Sequence, residues 1–237
     1  RINVNITTES IAIKNPNSPW LIATGSGSTG DPKLMPISHL QQIERCKISK
    51  SWAPYNNNEV FASLVGCHFY MGISRHLECI TNGAKSQLYN SIADLHQSDE
   101  TTVIYGTPFH ILALLREKKV NSSLLANLKS IIIAGDFTSK ELRREANKKF
   151  NANILVLYGC NETSSCCIAR PPLVYKDGEL VGKSIDGFTI EIVDEKHNKL
   201  PSNVIGQIRI KSKCSITQYL NDQQQNLQVL FFLFSFF

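Results

Sequence analysis

The chain has 237 residues, 42% of them hydrophobic and 19% charged, with a formal net charge of +5, the make-up of an ordinary soluble globular protein with ample core for one large domain or two small ones. Its positive charge is scattered, and the densest patch, Arg143-Arg144 with Lys148-Lys149, lies on a predicted amphipathic helix, which argues against a nucleic-acid partner. The seven cysteines form no C-x-x-C pair, and Arg1 opens no secretory leader, so the expectation is reduced thiols in a cytoplasmic protein.

In chain order, Trp20-Leu21-Ile22-Ala23, bounded upstream by Asn15-Pro16 and Ser18-Pro19, reads as a buried strand feeding a glycine-rich loop. Ser38 with Gln41 predicts a capping box opening a helix to about Ser49. A strand is predicted over Glu59 to Val65, then a helix from about Met71 to Thr81 stopped by Asn82-Gly83. Lys85 to Tyr89 and Thr101 to Tyr105 read as strands. Thr107 is the expected N-cap of a helix with Pro108 at its first position. Ser130 to Ala134 reads as a buried strand, and Thr138 with Glu141 as a second capping box opening a helix to Phe150. Ile154 to Leu157 closes the series. Strands alternating with helices imply an α/β fold with a mostly parallel sheet flanked by helices. After Tyr158 the apolar runs Leu180-Val181, Phe188 to Val193 and Ile205 to Ile210 follow one another without helices, as in a smaller antiparallel β subdomain. The expected division is 1–170 for the α/β part with the loop, 171–222 for the β subdomain, and 223–237 for an anomalous apolar tail. Its nine-residue run Val229 to Phe237 is too short for a membrane span, which needs about 20 residues. The tail reads as a truncated or frame-shifted end, and no stable membrane insertion is expected.

The loop Thr24-Gly25-Ser26-Gly27-Ser28-Thr29-Gly30-Asp31-Pro32-Lys33 carries the chemistry. Its glycines let backbone N–H groups approach a ligand closely, Ser26, Ser28 and Thr29 add hydroxyl donors, and Lys33 adds a mobile charge, a set suited to a polyphosphate. Gly25 to Gly30 also fits the dinucleotide pattern G-x-G-x-x-G, but Pro32 and Pro36 interrupt the helix that pattern requires. A Walker A loop would need Gly-Lys-Ser/Thr where Gly30-Asp31-Pro32-Lys33 stands. Farther on, Tyr158-Gly159-Cys160-Asn161-Glu162-Thr163 directly follows a strand. Tyr158 could stack on a base, and Glu162 is a hard oxygen ligand for Mg²⁺.

Ser26-Gly27-Ser28-Thr29-Gly30-Asp31-Pro32-Lys33 matches S-G-[ST]-T-G-x-P-K, and on it the chain resembles the adenylate-forming superfamily of acyl-CoA synthetases, aryl acid ligases, peptide-synthetase adenylation domains and luciferases. Tyr158 to Glu162 resembles its Y-G-x-T-E, with Asn161 where the family usually has Thr. Ile133-Ala134-Gly135-Asp136, Val181-Gly182-Lys183-Ser184, Leu200-Pro201, Gly206-Gln207-Ile208 and Tyr219-Leu220-Asn221-Asp222 extend the likeness from Pro19 to Asp222. The resemblance implies that a carboxylic acid and ATP give an acyl-adenylate and pyrophosphate. Ser26, Gly27, Ser28, Thr29, Gly30 and Lys33 would hold the phosphates. Glu162 would hold Mg²⁺, Asn161 or Thr163 would meet the α-phosphate, Gly135, Asp136 and Tyr158 would frame the adenine, and Gly159 is a further implied ATP-binding residue. Lys33 and Glu162 are the implied catalytic pair. The implied thiol acceptor is coenzyme A or a carrier-protein phosphopantetheine, so an acyl carrier protein is an implied partner. Amino-acid-activating relatives carry an Asp near Met71-Gly72-Ile73-Ser74, where this chain has Gly72, so a fatty or aryl acid is implied. His68 either meets the acyl group or packs beside Phe69 and Tyr70. The family's ribose-binding Asp and C-terminal catalytic Lys are expected beyond this stretch, which leaves two further readings, an inactive nucleotide-binding remnant and an amino-acid-activating domain.

Overall fold

The computed structural model describes residues 15–25, 32–89, 91–96, 98–117, 120–176, 179–220 and 233–234. The predicted phosphate-binding residues Ser26, Gly27, Ser28, Thr29 and Gly30 lie outside them, as do Asn221, Asp222 and the tail apart from 233–234.

β1 (Pro19–Gly25) and β2 (Lys33–Ser38) form an antiparallel ribbon in which Gly25 faces Lys33 and Thr24 faces Leu34. The expectation of a buried strand at Trp20 to Ala23 is corrected: only Ala23 is buried, and Ile22 is 53% exposed. The ribbon stands apart from the main sheet and packs one side, through Ala23, Met35 and Ile37, on Tyr70, Ile216 and Tyr219. A strand, not a helix, follows residues 26–32, which removes the dinucleotide reading.

α1 (His39–Trp52) begins with the predicted box: Gln41 N donates to Ser38 Oγ at 3.1 Å, and Ser38 N donates to Gln41 Oε1 at 2.8 Å. The helix runs past Ser49 to Trp52 because Trp52 buries its ring at the edge of Tyr55. It ends at Ala53, held extended before Pro54.

The central sheet runs β4-β3-β5-β6-β7-β8-β9. β3 (Val60–Ser63), β4 (Lys85–Leu88), β5 (Val103–Gly106), β6 (Ser130–Ile133) and β7 (Asn153–Cys160) pair in parallel. β8 (Ser164–Ala169) and β9 (Lys183–Ser184) add antiparallel strands. The connections are α2 (Tyr70–Thr81), α3 (Ile92–His96), α4 (Pro108–Arg116), α5 (Ser122–Asn127) and α6 (Lys140–Phe150). The side-chain period of 2 sends alternate residues to opposite faces. Ile104, Ile131, Ile133 and Ile154 meet α4 and α6, whereas Phe61, Val103, Ile132 and Leu155 meet Trp52 and Cys79 of α1 and α2. Both faces are covered, as a parallel sheet requires.

The second capping box is corrected. The N-cap of α6 is Ser139, whose Oγ accepts from Leu142 N at 3.2 Å. Thr138 is buried with its hydroxyl on Asp136 O. β10 (Thr189–Val193), β11 (Gln207–Lys211) and β12 (Leu233–Phe234) form a separate antiparallel sheet, so two residues of the tail join the fold.

Candidate functional site

The parallel strands carry their carboxyl ends to one edge, the usual place for ligands in open α/β sheets. Beyond β6 the chain turns through Gly135 at φ +94°. An added Cβ there would stand 3.3 Å from Met71 Cε, so glycine suits both the turn and the space. Asp136 next accepts a hydrogen bond from Phe137 N at 2.7 Å. Near the end of the neighbouring β7 comes a bulge between Tyr158 and Gly159. A Cβ on Gly159 would lie 2.2 Å from the carbonyl oxygen of Ser164, a contact only glycine avoids. A cavity of about 840 Å³ is lined by Gly135, Asp136, Tyr158 and Gly159, with Phe137 and Val181 among its walls. It brings together the three residues expected to frame an adenine, Gly135, Asp136 and Tyr158, with Gly159 beside them. Burial pushes the Tyr158 phenol well above its ordinary pKa, so the ring stays neutral, as a stacking surface should.

The turn between β7 and β8 is clamped from below by Arg45 of α1, 2% exposed. Its Nη2 donates to the carbonyls of Asn161 (3.0 Å), Glu162 (3.2 Å) and Cys214 (2.8 Å), Nε also reaches Cys214 O (3.0 Å), and Nη1 reaches Tyr70 Oη (2.6 Å). Asn161 Nδ2 donates to Thr24 O at 3.3 Å, tying the turn to the strand that enters the glycine-rich loop. The Glu162 carboxylate accepts from Tyr219 Oη at 2.9 Å, and Lys33 Nζ lies 5.3 Å from the centroid of the same Tyr219 ring. Lys33 and Glu162, distant in sequence, thus meet on one phenol. Thr163 is fully buried with its hydroxyl donating to Ser164 O at 3.0 Å, which leaves Asn161 as the side chain of that pair at the surface. No group of three or more His, Cys, Asp or Glu side chains forms a metal cluster among the described residues. Mg²⁺ held by one carboxylate together with waters and phosphates needs none, so Glu162 fits such an ion.

A second cavity, of about 410 Å³, lies between the ribbon and α2. Ala23, Thr24, His68, Tyr70, Met71 and Asn161 line it, so it shares Thr24 and Asn161 with the turn. His68 is exposed, its ring 4.2 Å from that of Phe69, not a packed core residue. Gly66 makes room for it, since a Cβ there would meet the imidazole at 2.5 Å. Sequence reasoning missed Arg45 and the part played by Tyr219. Arg45 sits mid-helix without a motif, and Tyr219 reaches Glu162 and Lys33, residues distant from it in sequence.

These features define an α/β protein with a crevice at the carboxyl ends of its strands and a lysine and a carboxylate that contact one tyrosine by the β7–β8 turn. The profile of the family described as AMP-binding enzyme matches residues 3–220, and the chain belongs to that family. It is 25% identical to the equisetin synthetase of Fusarium heterosporum, across 93% of this chain and 6% of that protein. It is 24% identical to a mitochondrial medium-chain acyl-CoA ligase of Rattus norvegicus, across 90% of this chain and 37% of the ligase. Among solved structures, the anthranilate CoA ligase AuaEII with anthranoyl-AMP matches with a TM-score of 0.83 at 19% identity, over 93% of this chain and 44% of that one. ATP-bound MatB from Rhodopseudomonas palustris matches with 0.80 at 17%, over 91% and 44%. The chain therefore spans less than half the length of each of these relatives, and the fold it shares with the solved structures is that of adenylate-forming enzymes. No described helix is long and apolar enough to cross a membrane.

Proposed function

We propose that the protein to which this chain belongs activates a carboxylic acid with ATP, giving an acyl-adenylate and pyrophosphate before transfer to a thiol of coenzyme A or a phosphopantetheine carrier. The observation that carries the reading is the meeting of Lys33 and Glu162 at Tyr219, beside the cavity lined by Gly135, Asp136, Tyr158 and Gly159. The adenine would lie against Tyr158. Residues 26–30 with Lys33 would cradle the phosphates, and Glu162 would hold Mg²⁺, which neutralises polyphosphate charge when bound. The acid carboxylate is itself the nucleophile, so the chain's task is to position the reactants and neutralise charge. The second cavity would take the acid. Its walls include Leu21, Ile22, Ala23, Phe69 and Met71, which favours a fatty or aryl acid over a charged one. His68 would stand at its rim, and Asn161 would face the α-phosphate from between the two cavities.

Calorimetry of Mg²⁺-dependent ATP binding by this chain tests the nucleotide half of the reading. Pyrophosphate exchange over a panel of fatty, aryl and amino acids tests the acid half. A folded sample that binds no nucleotide rejects the reading, and exchange confined to α-amino acids rejects the substrate class.

A further inference from the structure

We propose that Tyr219 is a positioning residue for the reaction: its ring carries the Lys33 ammonium and its hydroxyl orients the Glu162 carboxylate, so that one side chain sets the spacing of the two charges. The inference rests on the nucleotide reading above.

Tyr219 is 5% exposed and belongs to the segment that follows β11. That segment is tied to both partners through its backbone. Leu220 N donates to Leu34 O at 2.9 Å, beside Lys33, and Ile216 N donates to Glu162 O at 2.8 Å. The phenol therefore sits on a frame anchored to the β1–β2 ribbon and to the β7–β8 turn at once. Its Oη donates to Glu162 Oε1 at 2.9 Å, and its ring centroid lies 5.3 Å from Lys33 Nζ, within the range at which a ring face attracts an ammonium.

Lysine and glutamate side chains at such a rim would otherwise be drawn to each other, yet among the described residues no ion pair joins Lys33 to Glu162. Tyr219 gives each charge a separate partner, the cation a π face and the carboxylate an O–H donor. A pair already collapsed on itself would have to be separated before either charge could meet a phosphate or its metal. A pair held apart is organised in advance. Because the hydroxyl holds Oε1, it also selects the rotation of the carboxylate about its last bond.

The two contacts use different atoms, so they can be separated. Tyr219→Phe removes the hydroxyl and keeps the ring, whereas Tyr219→Leu removes both. In the 237-residue chain, ATP binding is measured by calorimetry across a series of Mg²⁺ concentrations, with thermal melts beside it and Glu162→Gln and Lys33→Ala as references. Tyr219→Phe is expected to raise the Mg²⁺ concentration for half-maximal binding about fivefold or more, the effect of losing a hydrogen bond to a charged group. Affinity at saturating Mg²⁺ should stay within about twofold, since the cation–π contact survives. Tyr219→Leu is expected to weaken binding at saturating Mg²⁺ as well, by about threefold, and to add nothing to Lys33→Ala in the double variant. A Tyr219→Phe titration that superimposes on wild type while Glu162→Gln is shifted overturns the proposal and leaves the nucleotide reading standing, and a lowered melting temperature without a Mg²⁺ shift does the same. Glu162→Gln without effect, or a folded wild-type chain that binds no ATP, overturns the reading and the Tyr219 assignment together.

Discussion

Lys33 faces Gly25 across the β1–β2 ribbon, so its amine leaves the ribbon where the glycine-rich loop closes. There it acts as a point charge on a flexible stem, suited to a phosphate. Lys33→Ala is expected to weaken ATP binding about ten- to a hundredfold, the loss of one charge-assisted contact. Calorimetry showing wild-type affinity would remove Lys33 from the site. Gly159 makes a different demand, because its missing Cβ is what lets β7 and β8 approach at the bulge. The neighbour is backbone and cannot rotate away, so Gly159→Ala should cost about 1–3 kcal/mol of stability and displace Tyr158 and Asn161. A urea midpoint equal to wild type would show that the bulge relaxes. Lys33, Gly159 and Glu162 can be proposed from the sequence because each belongs to a short local pattern. Arg45 was not, since its carbonyl partners lie on the far turn and beyond β11. No local rule places a buried guanidinium on such groups.

Among elements, the helix starts that carried several agreeing signals were read correctly. Ser38–Gln41 makes both bonds of a capping box, and so does Thr107, with His110 completing it. The start of α6 was misread by one residue because Thr138 and Ser139 can both cap. Packing decided between them: Thr138 turns inward onto Asp136 O, leaving Ser139 to accept from Leu142 N. Ser139→Ala is therefore expected to cost about 1 kcal/mol, while Glu141→Ala, at an exposed position with no box to complete, should stay within about 0.5 kcal/mol. Chemical denaturation of the two variants checks this, and the reverse order of costs would restore the Thr138 box. β8 escaped the sequence reading altogether. Ser164-Ser165-Cys166-Cys167-Ile168-Ala169 carries only a short apolar run, Cys166 to Ala169, behind two serines, and pairing with β7 and β9 on either side makes the whole stretch a strand.

At the scale of the whole molecule, the alternation of strand and helix made the parallel sheet legible, whereas the polar interior of α2 was not. Glu78 is fully buried there, 2.6 Å from Arg75 Nη2 and accepting from Ser74 Oγ at 3.2 Å. Arg75 in turn lies over the Trp52 ring and donates to Ser164 Oγ on β8, so this pair links two helices and the sheet. Burial raises the Glu78 pKa to about 7, against the lowering effect of Arg75 and of the Ser74 hydrogen bond. The folded protein then holds a proton that the unfolded chain has released above its ordinary value of 4.5. That contribution to stability is full below pH 4.5 and is lost as the pH rises through about 7. Its size is on the order of 1–3 kcal/mol, since a tenfold change in proton affinity corresponds to about 1.4 kcal/mol. His76 and His110 act oppositely: burial lowers both pKa values, so their neutral forms cost stability as the pH falls below their ordinary 6.5. A melting curve of the wild type mixes the two trends, and Glu78→Gln separates them. The amide cannot titrate but preserves the shape, and its oxygen can accept from Arg75 as the protonated carboxyl does. The melting temperature of wild type minus that of Glu78→Gln is therefore expected to fall steadily from about pH 4.5 to about pH 7.5. A difference that instead rises with pH would mean that Arg75 outweighs burial and keeps the carboxylate ionised.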